Sequence, residues 1–359
     1  MATARPRLAL PEVLAHQRDA CARLGSALYA RLLEAVAADV AAGGPCAAVL
    51  VPASRERDPL ASALPLRFLG AVHRLVLDGR APALARHYPS AGGSPGPTLV
   101  DDFLATVGEL RTDIAARIGH GVQTNEVGRS AALAPGFVEV ARRCGLPLRV
   151  LELGASAGLN LRWDHYWYDT GASTLGDPGS PVRFVGVWEG EAPTLGGPGV
   201  PPVTVVERAG CDRSPLDPAS EDARRTLRSY LWPDQVERLA RLDAALDVAA
   251  RVPAPVDAAD LGTWLAARLT EPRPGVATVV VHSIVWQYVD RRARDRMRVA
   301  LRRAGEAATA RAPIAWLRME PAGQVADLRL TRWPGGREEV LGTAAYHGIP
   351  TWWGRRPVG

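Results

Sequence analysis

The chain has 359 residues, of which 47% are hydrophobic and 23% charged, as in ordinary globular proteins. It contains no lysine, which excludes a Walker-type phosphate loop and a Schiff-base lysine. The net charge of +5 is mild and the arginines are interspersed with acids, so no nucleic-acid partner is indicated. The four cysteines are scattered, and neither a disulfide framework nor a metal site is predicted. With no signal sequence and no membrane-spanning apolar run, we expect a cytoplasmic protein without a membrane partner.

The first third of the chain has the pattern of an α-helical domain. Apolar residues recur at helical spacing from Pro11 to about Ala42, from Pro65 to Leu77 and from Leu99 to Ile118. We therefore predict a helical N-terminal cap domain at 1–120. Its histidines, His73 among them, are expected to be surface or core residues without a functional role.

A dense polar segment, 123–129, precedes the next apolar helix. We expect Asn125, Glu126 and Arg129 to bind substrate at the mouth of a cleft, where Arg129 could pair with a ligand carboxylate. The alternative is that Thr124 or Asn125 simply caps the helix.

A glycine turn then organises the remainder of the chain. Val150 to Leu153 reads as a buried strand, Gly154 to Gly158 as a turn, and the following residues as the start of a helix. Such a turn lets a ligand approach the backbone, and the free N–H groups of the helix start face that ligand. The same letters fit Gly-x-Ser-x-Gly, the nucleophile elbow of hydrolases, with Ser156 as the nucleophile.

Alternating strands and helices follow an aromatic excursion at about 162–202, which we expect to cover the cleft. Further strands are predicted at Val203–Glu207, which leads to Asp212, at Gly275–His282 and at Ile314–Met319. The last two strands, Val325–Arg332 and Glu339–Tyr346, are predicted to form a hairpin.

Three motifs in this order resemble the class I S-adenosylmethionine-dependent methyltransferases. The first is Leu151-Glu-Leu-Gly-Ala-Ser-Ala-Gly158, in which Ser156 stands at the family's middle glycine. The others are Gly210-Cys-Asp-Arg-Ser-Pro215 and Asp257-Ala-Ala-Asp-Leu261. The resemblance implies an α/β fold, a doubly wound, mostly parallel seven-stranded sheet at 121–359 with strand order 3-2-1-4-5-7-6. The full-length pattern also resembles a bacterial protein family of unknown function, which supplies no activity.

The resemblance also implies a cofactor, S-adenosylmethionine, and roles for individual residues. Asp212 would hold the ribose, and Asp257 or Asp260 would touch the adenine. The residues expected at the cofactor are Glu152, Gly154, Ala155, Ser156, Gly158, Asn160, Asp212, Arg213, Asp257, Ala258 and Ser283. His282 is the candidate base for an acceptor hydroxyl, with Tyr288 beside it, and Trp286 and Gln287 are expected at the acceptor.

Two other functions stay open at this point. A serine hydrolase would use Ser156 with His282 or His347 as base, although the helical segment before the turn offers no oxyanion loop. A cofactor-binding module without catalysis would carry the same motifs. The enclosing excursion and helical domain favour a small-molecule acceptor, and the sequence does not predict the oligomeric state.

Overall fold

The computed structural model describes residues 8–56, 58–198, 200 and 202–354. The chain divides into two compact units. The helical unit comprises Met1–Thr124 and Glu221–Ala240, and the sheet unit comprises Asn125–Ser220 and Arg241–Gly359. The first boundary lies close to the expected one at residue 120, whereas the return of 221–240 to the helical unit has no counterpart in the sequence prediction.

The secondary structure of the described residues is as follows. The α-helices are α1 (Leu10–Arg23), α2 (Ala27–Ala42), α3 (Pro45–Glu56), α4 (Leu64–Leu77), α5 (Pro82–Ala85), α6 (Leu99–Glu109), α7 (Arg111–Arg117), α8 (Ser130–Cys144), α9 (Glu221–Ser229), α10 (Val236–Ala249), α11 (Leu261–Arg268) and α12 (Arg291–Glu306). The strands are β1 (Leu148–Leu153), β2 (Trp167–Asp169), β3 (Thr174–Leu175), β4 (Arg183–Val185), β5 (Val205–Asp212), β6 (Val256–Ala258), β7 (Ala277–Ser283), β8 (Ile314–Ala322), β9 (Val325–Trp333), β10 (Arg337–Ala344) and β11 (Thr351–Trp353).

The helical unit has an apolar core to which both of its chain segments contribute. Phe68 of α4 packs edge-on against Phe103 of α6, with ring centroids 6.1 Å apart. Trp232, from the returning segment, lies in the same core beside Tyr29, with ring centroids 6.2 Å apart. The segment 221–240 therefore returns to this unit because its apolar side chains complete that core.

The sheet unit contains an eight-stranded sheet in the order β11-β10-β9-β8-β7-β1-β5-β6. The five strands from β6 to β8 run parallel, and β9 to β11 are added antiparallel. The order of the parallel half is the 3-2-1-4-5 that the resemblance implies, but the prediction of seven strands is wrong. The order of the last strands also differs, because Ala322 and Val325 pair across a two-residue turn and make β8 and β9 neighbours.

Helices cover both faces of the parallel half. Leu151 and Leu153 of β1 pack in one apolar cluster with Leu265 of α11 and Met297 of α12. On the other face, Gly136 of α8 lies so close to Leu317 of β8 that a Cβ atom at residue 136 would be 2.6 Å from Leu317 Cδ1. The two faces of the sheet thus pack against different helices. Successive side chains of β1 and β7 therefore point towards different helices.

The aromatic excursion forms a small second sheet, β3-β2-β4, whose rings serve as core. Trp163 stacks on Phe137 of α8 with ring centroids 4.4 Å apart, and Tyr168 stacks on Phe184 at 5.1 Å. All four of these side chains are buried. The aromatic residues therefore anchor the excursion to the body of the sheet unit and do not form an open pocket.

Candidate functional site

The glycine turn lies at the carboxyl edge of the sheet, where β1, β5 and β7 end side by side. The backbone N–H of Ser156 donates to Asp212 Oδ2 at 3.0 Å, which joins the turn to the end of β5. Asp212 Oδ1 accepts the N–H of Ser214 at 2.9 Å. Each carboxylate oxygen of Asp212 thus accepts one backbone proton and retains a further acceptor position.

The N–H groups of the turn are satisfied within the protein. Asn125 Oδ1 accepts from Ala157 at 3.2 Å and from Leu159 at 2.9 Å, and the Cys211 carbonyl accepts from Gly154 at 2.8 Å and from Ala155 at 3.1 Å. A short 3₁₀ helix, Asn160–His165, follows the turn where an α-helix was expected. We expected free N–H groups that face a ligand, and this expectation is wrong for the turn. Its N–H groups donate to Asn125, to Asp212 and to the Cys211 carbonyl at the end of β5.

The conformation of Gly154 is required by the packing of the protein itself. Its φ of +72° is in the left-handed region, and a Cβ atom there would lie 2.4 Å from Val285 Cγ2. Val285 belongs to the loop after β7, where Ile284 also has a positive φ of 50°. Both the positive φ and the close contact with Val285 therefore require glycine at residue 154.

Glu152 is a buried acid at the same edge. In the sheet register Glu152 lies opposite Gly210 of β5 and Val281 of β7, and Val281 lies opposite Leu317 of β8. Only 3% of the surface of Glu152 is exposed. Among the residues that the structure describes, its Oε2 has no hydrogen-bond partner. Burial raises the pKa of the Glu152 carboxyl to about 8, opposed by the charges of nearby Arg129 and Arg162. A buried carboxyl of this kind is a candidate for contact with a ligand.

His282 points away from Glu152. Because Glu152 is opposite Val281, the next residue, His282, projects from the other face of the sheet. Its side chain is fully buried, its Nδ1 lies 2.7 Å from Glu320 Oε1, and its ring stacks on Trp286 with centroids 5.3 Å apart. The arrangement fits a positioned structural histidine, since no edge of the ring is open to an acceptor.

Glu320 also belongs to this site, although it was not among the residues predicted from the sequence. Besides His282, its carboxylate accepts the backbone N–H groups of Val285 at 3.1 Å and Trp286 at 3.3 Å. It therefore fixes the loop that carries Val285 over the glycine turn. The sequence signal that could have identified Glu320 is its position directly after the predicted apolar strand Ile314–Met319.

Arg129 and Asn160 hold neighbouring loops together. Arg129 Nη1 donates to the Ser283 carbonyl at 3.0 Å and Arg129 Nε donates to the Tyr346 carbonyl at 3.1 Å. Asn160 Oδ1 accepts the Ser130 hydroxyl at 2.8 Å, and Asn160 Nδ2 donates to the Glu126 carbonyl. The side chain of Glu126 caps the short 3₁₀ helix that begins at Val127. A cap was expected in this segment, but at Thr124 or Asn125.

Of the remaining predicted site residues, some form hydrogen bonds or strand pairs within the protein and others are exposed to solvent. Asp257 Oδ2 accepts the Trp264 indole N–H at 2.6 Å and a proton of Arg268 at 3.0 Å, and these bonds lower its pKa. Ala258 lies beside Asp212 in the register of β5 and β6. Arg213, Gln287 and Tyr288 are exposed, Tyr288 at 48%.

Two further findings concern the described residues as a whole. Among them, no three His, Cys, Asp or Glu side chains are grouped so that they could hold a metal ion. No single helix of the described chain has the length and apolarity to cross a membrane; α2 and α3 pass that test only together, with a bend of 85° between them.

Comparison with known proteins gives a family but no activity. A family model described as "Uncharacterized protein conserved in bacteria (DUF2332)" matches residues 11–353. No curated protein and no solved structure matches the chain.

Proposed function

We propose that this chain, which belongs to the uncharacterised bacterial family DUF2332, binds S-adenosylmethionine at the carboxyl edge of its sheet and methylates a small-molecule acceptor. The observation that carries the proposal is the contact between Asp212 and the glycine turn. An acid at the end of the strand next to the turn is suited to hold a ribose, because a carboxylate accepts both hydroxyl protons of a diol.

The charge of this edge favours a cationic nucleoside over a phosphate-bearing one. The N–H groups that could cradle a phosphate are bonded to Asn125, Asp212 and the Cys211 carbonyl. The carboxylate of Asp212 would repel a phosphate. S-adenosylmethionine carries an ammonium and a sulfonium, and a cation near Glu152 would stabilise the ionised carboxylate that burial disfavours.

The residues present fit this cofactor in part. Glu152, with a buried oxygen that lacks a partner, and Asp212, with spare acceptor positions, would hold it. Asp257 is bonded to Trp264 and Arg268, so the adenine contact has less support. When bound, the cofactor supplies an activated methyl group. Of the two predicted catalytic residues, exposed Tyr288 is better placed than buried His282 to meet an acceptor.

The test is isothermal titration of the full chain with S-adenosylhomocysteine, with ATP and NAD as separate arms. Asp212→Asn should weaken binding at least tenfold, because the charged acceptor of the diol is lost. Asp217→Asn is the matched control, since Asp217 Oδ1 accepts the N–H of Ala219 at 2.9 Å in the same i to i+2 turn. Failure of the native chain to bind S-adenosylhomocysteine, or equal affinity in both variants, would overturn the proposal.

One observation favours the hydrolase alternative. Ser156 has a φ of +51°, a strained conformation of the kind found at nucleophile elbows. Against it, Ser156 is only 4% exposed and is followed by a 3₁₀ helix, and His282 Nε2 has no hydrogen-bond partner among the described residues, so it does not contact the Ser156 hydroxyl. Modification of Ser156 by a fluorophosphonate would favour this alternative over the methyltransferase.

A further inference from the structure

A second chemical cluster lies wholly within the helical unit and does not depend on the proposed function. His73 of α4 is fully buried, and its Nε2 lies 2.7 Å from the hydroxyl oxygen of Ser90. Its Nδ1 lies 3.1 Å from the carbonyl oxygen of Ser229 at the end of α9. Ser90 is half-buried, so it lies between the covered histidine and the surface.

These contacts fix the protonation of the His73 ring. A carbonyl oxygen can only accept, so Nδ1 must carry the proton and donate it to Ser229. Nε2 is then a bare acceptor, and the Ser90 hydroxyl donates to it. Burial lowers the pKa of His73 to about 4, so the ring is a neutral base throughout the neutral range.

The backbone around Ser90 is tightly folded. Ser90 lies in the 3₁₀ helix Pro89–Ala91, which ends at Gly92 with a φ of +79°. A Cβ atom at Gly93 would lie 2.4 Å from the Ala85 carbonyl oxygen, so the chain after Ser90 lies directly against the end of α5. The serine is therefore held against His73 by a segment with little freedom to move.

Tyr88 adds an unused donor to the cluster. Its side chain is fully buried, its ring centroid is 5.5 Å from that of His73, and its hydroxyl has no hydrogen-bond partner within the described part of the chain. A buried hydroxyl without a partner is unfavourable unless something else supplies one. The Tyr88 hydroxyl is thus an unused donor beside His73 within the core of the helical unit.

We infer that Ser90 is a nucleophile with His73 as its base, in a site that hydrolyses an uncharged carboxylic ester. The Ser90 oxygen bonds to the ester carbonyl carbon while its proton passes to His73 Nε2. The carbon–alkoxide bond then breaks and His73 returns the proton to the leaving alkoxide, which releases the alcohol. Water attacks the acyl-serine in the second half-reaction, and the carboxylic acid leaves as the Ser90 hydroxyl is restored.

The experiment is modification of the full chain with a fluorophosphonate, followed by tryptic mapping. The adduct is expected in the peptide 87–111. Ser90→Ala should abolish it, and Ser94→Ala, an exposed serine on the same loop that donates its backbone N–H to Arg86, should not change it. The modification rate should be constant from pH 6 to 9 and fall towards pH 4 as His73 becomes protonated.

Two results would overturn the inference. One is an unmodified chain under conditions that modify a known serine hydrolase. The other is an adduct that survives Ser90→Ala, at Ser156 or elsewhere. Because substitution of His73 could unfold the helical unit, Ser90→Cys serves as the second variant. It should react with iodoacetamide at least tenfold faster than the native cysteines, of which Cys21, Cys46 and Cys211 are buried.

Discussion

Replacement of Glu152 by glutamine should change how stability depends on pH. The pKa of this carboxyl is about 8 in the folded chain against an ordinary value of 4.5. Unfolding therefore releases a proton, and the free energy of unfolding falls by up to about 1.4 kcal/mol per pH unit between these values. Glu152→Gln keeps the size and removes the titration. Its stability advantage should widen by about 3–4 kcal/mol from pH 5 to pH 8.

The assay is urea unfolding of both chains, followed by tryptophan fluorescence at pH 5, 6, 7 and 8. Glu139→Gln is the control. Burial opposes ionisation of Glu139, but hydrogen bonds from Arg142 and Arg143 outweigh it and lower the pKa. That variant should be less stable than the native chain by an amount that stays constant from pH 6 to 8. If the Glu152→Gln advantage were equally constant, Glu152 would be ionised in the folded state and the reasoning would fail.

Two further predictions concern the glycine turn. Gly154→Ala should lower the free energy of unfolding by about 2–4 kcal/mol, since φ is positive and the new Cβ would meet Val285. Val285→Ala in the same chain should recover at least half of that loss in urea unfolding, and an undiminished loss would contradict the contact. Asn125→Ala should lower the free energy of unfolding by about 2–5 kcal/mol, because it leaves the N–H groups of Ala157 and Leu159 buried without an acceptor. A loss below about 0.5 kcal/mol in the same assay would mean that another group accepts these protons.

The parallel half of the sheet could be predicted because its strands are apolar, rich in β-branched residues and separated by helical patterns. β1 and β7 are buried at every position, which is typical of strands covered on both faces. The contact between Asp212 and the turn followed from the same prediction, since parallel neighbours end at one edge. The cofactor itself stays a prediction.

The face of the sheet from which each side chain projects could not be predicted, because β1 and β7 are buried on both sides. A strand buried on both sides has no polar alternation, so the sequence does not reveal that Glu152 and His282 project from opposite faces. The contacts of Asn125 with the turn and of Glu320 with the loop after β7 join residues more than 30 positions apart. Such pairings depend on how helices and strands pack, which local patterns do not encode.

The divided helical unit has a consequence for how this protein is made. Its first 124 residues leave the ribosome without Trp232 or the Ser229 carbonyl that holds His73. At bacterial elongation rates of about 5–20 residues per second, the missing segment is completed about 6–23 seconds later. During that interval the nascent helices expose an apolar surface that chaperones could recognise, and the Ser229 carbonyl that orients the His73 ring is added only after more than half of the polypeptide has been translated.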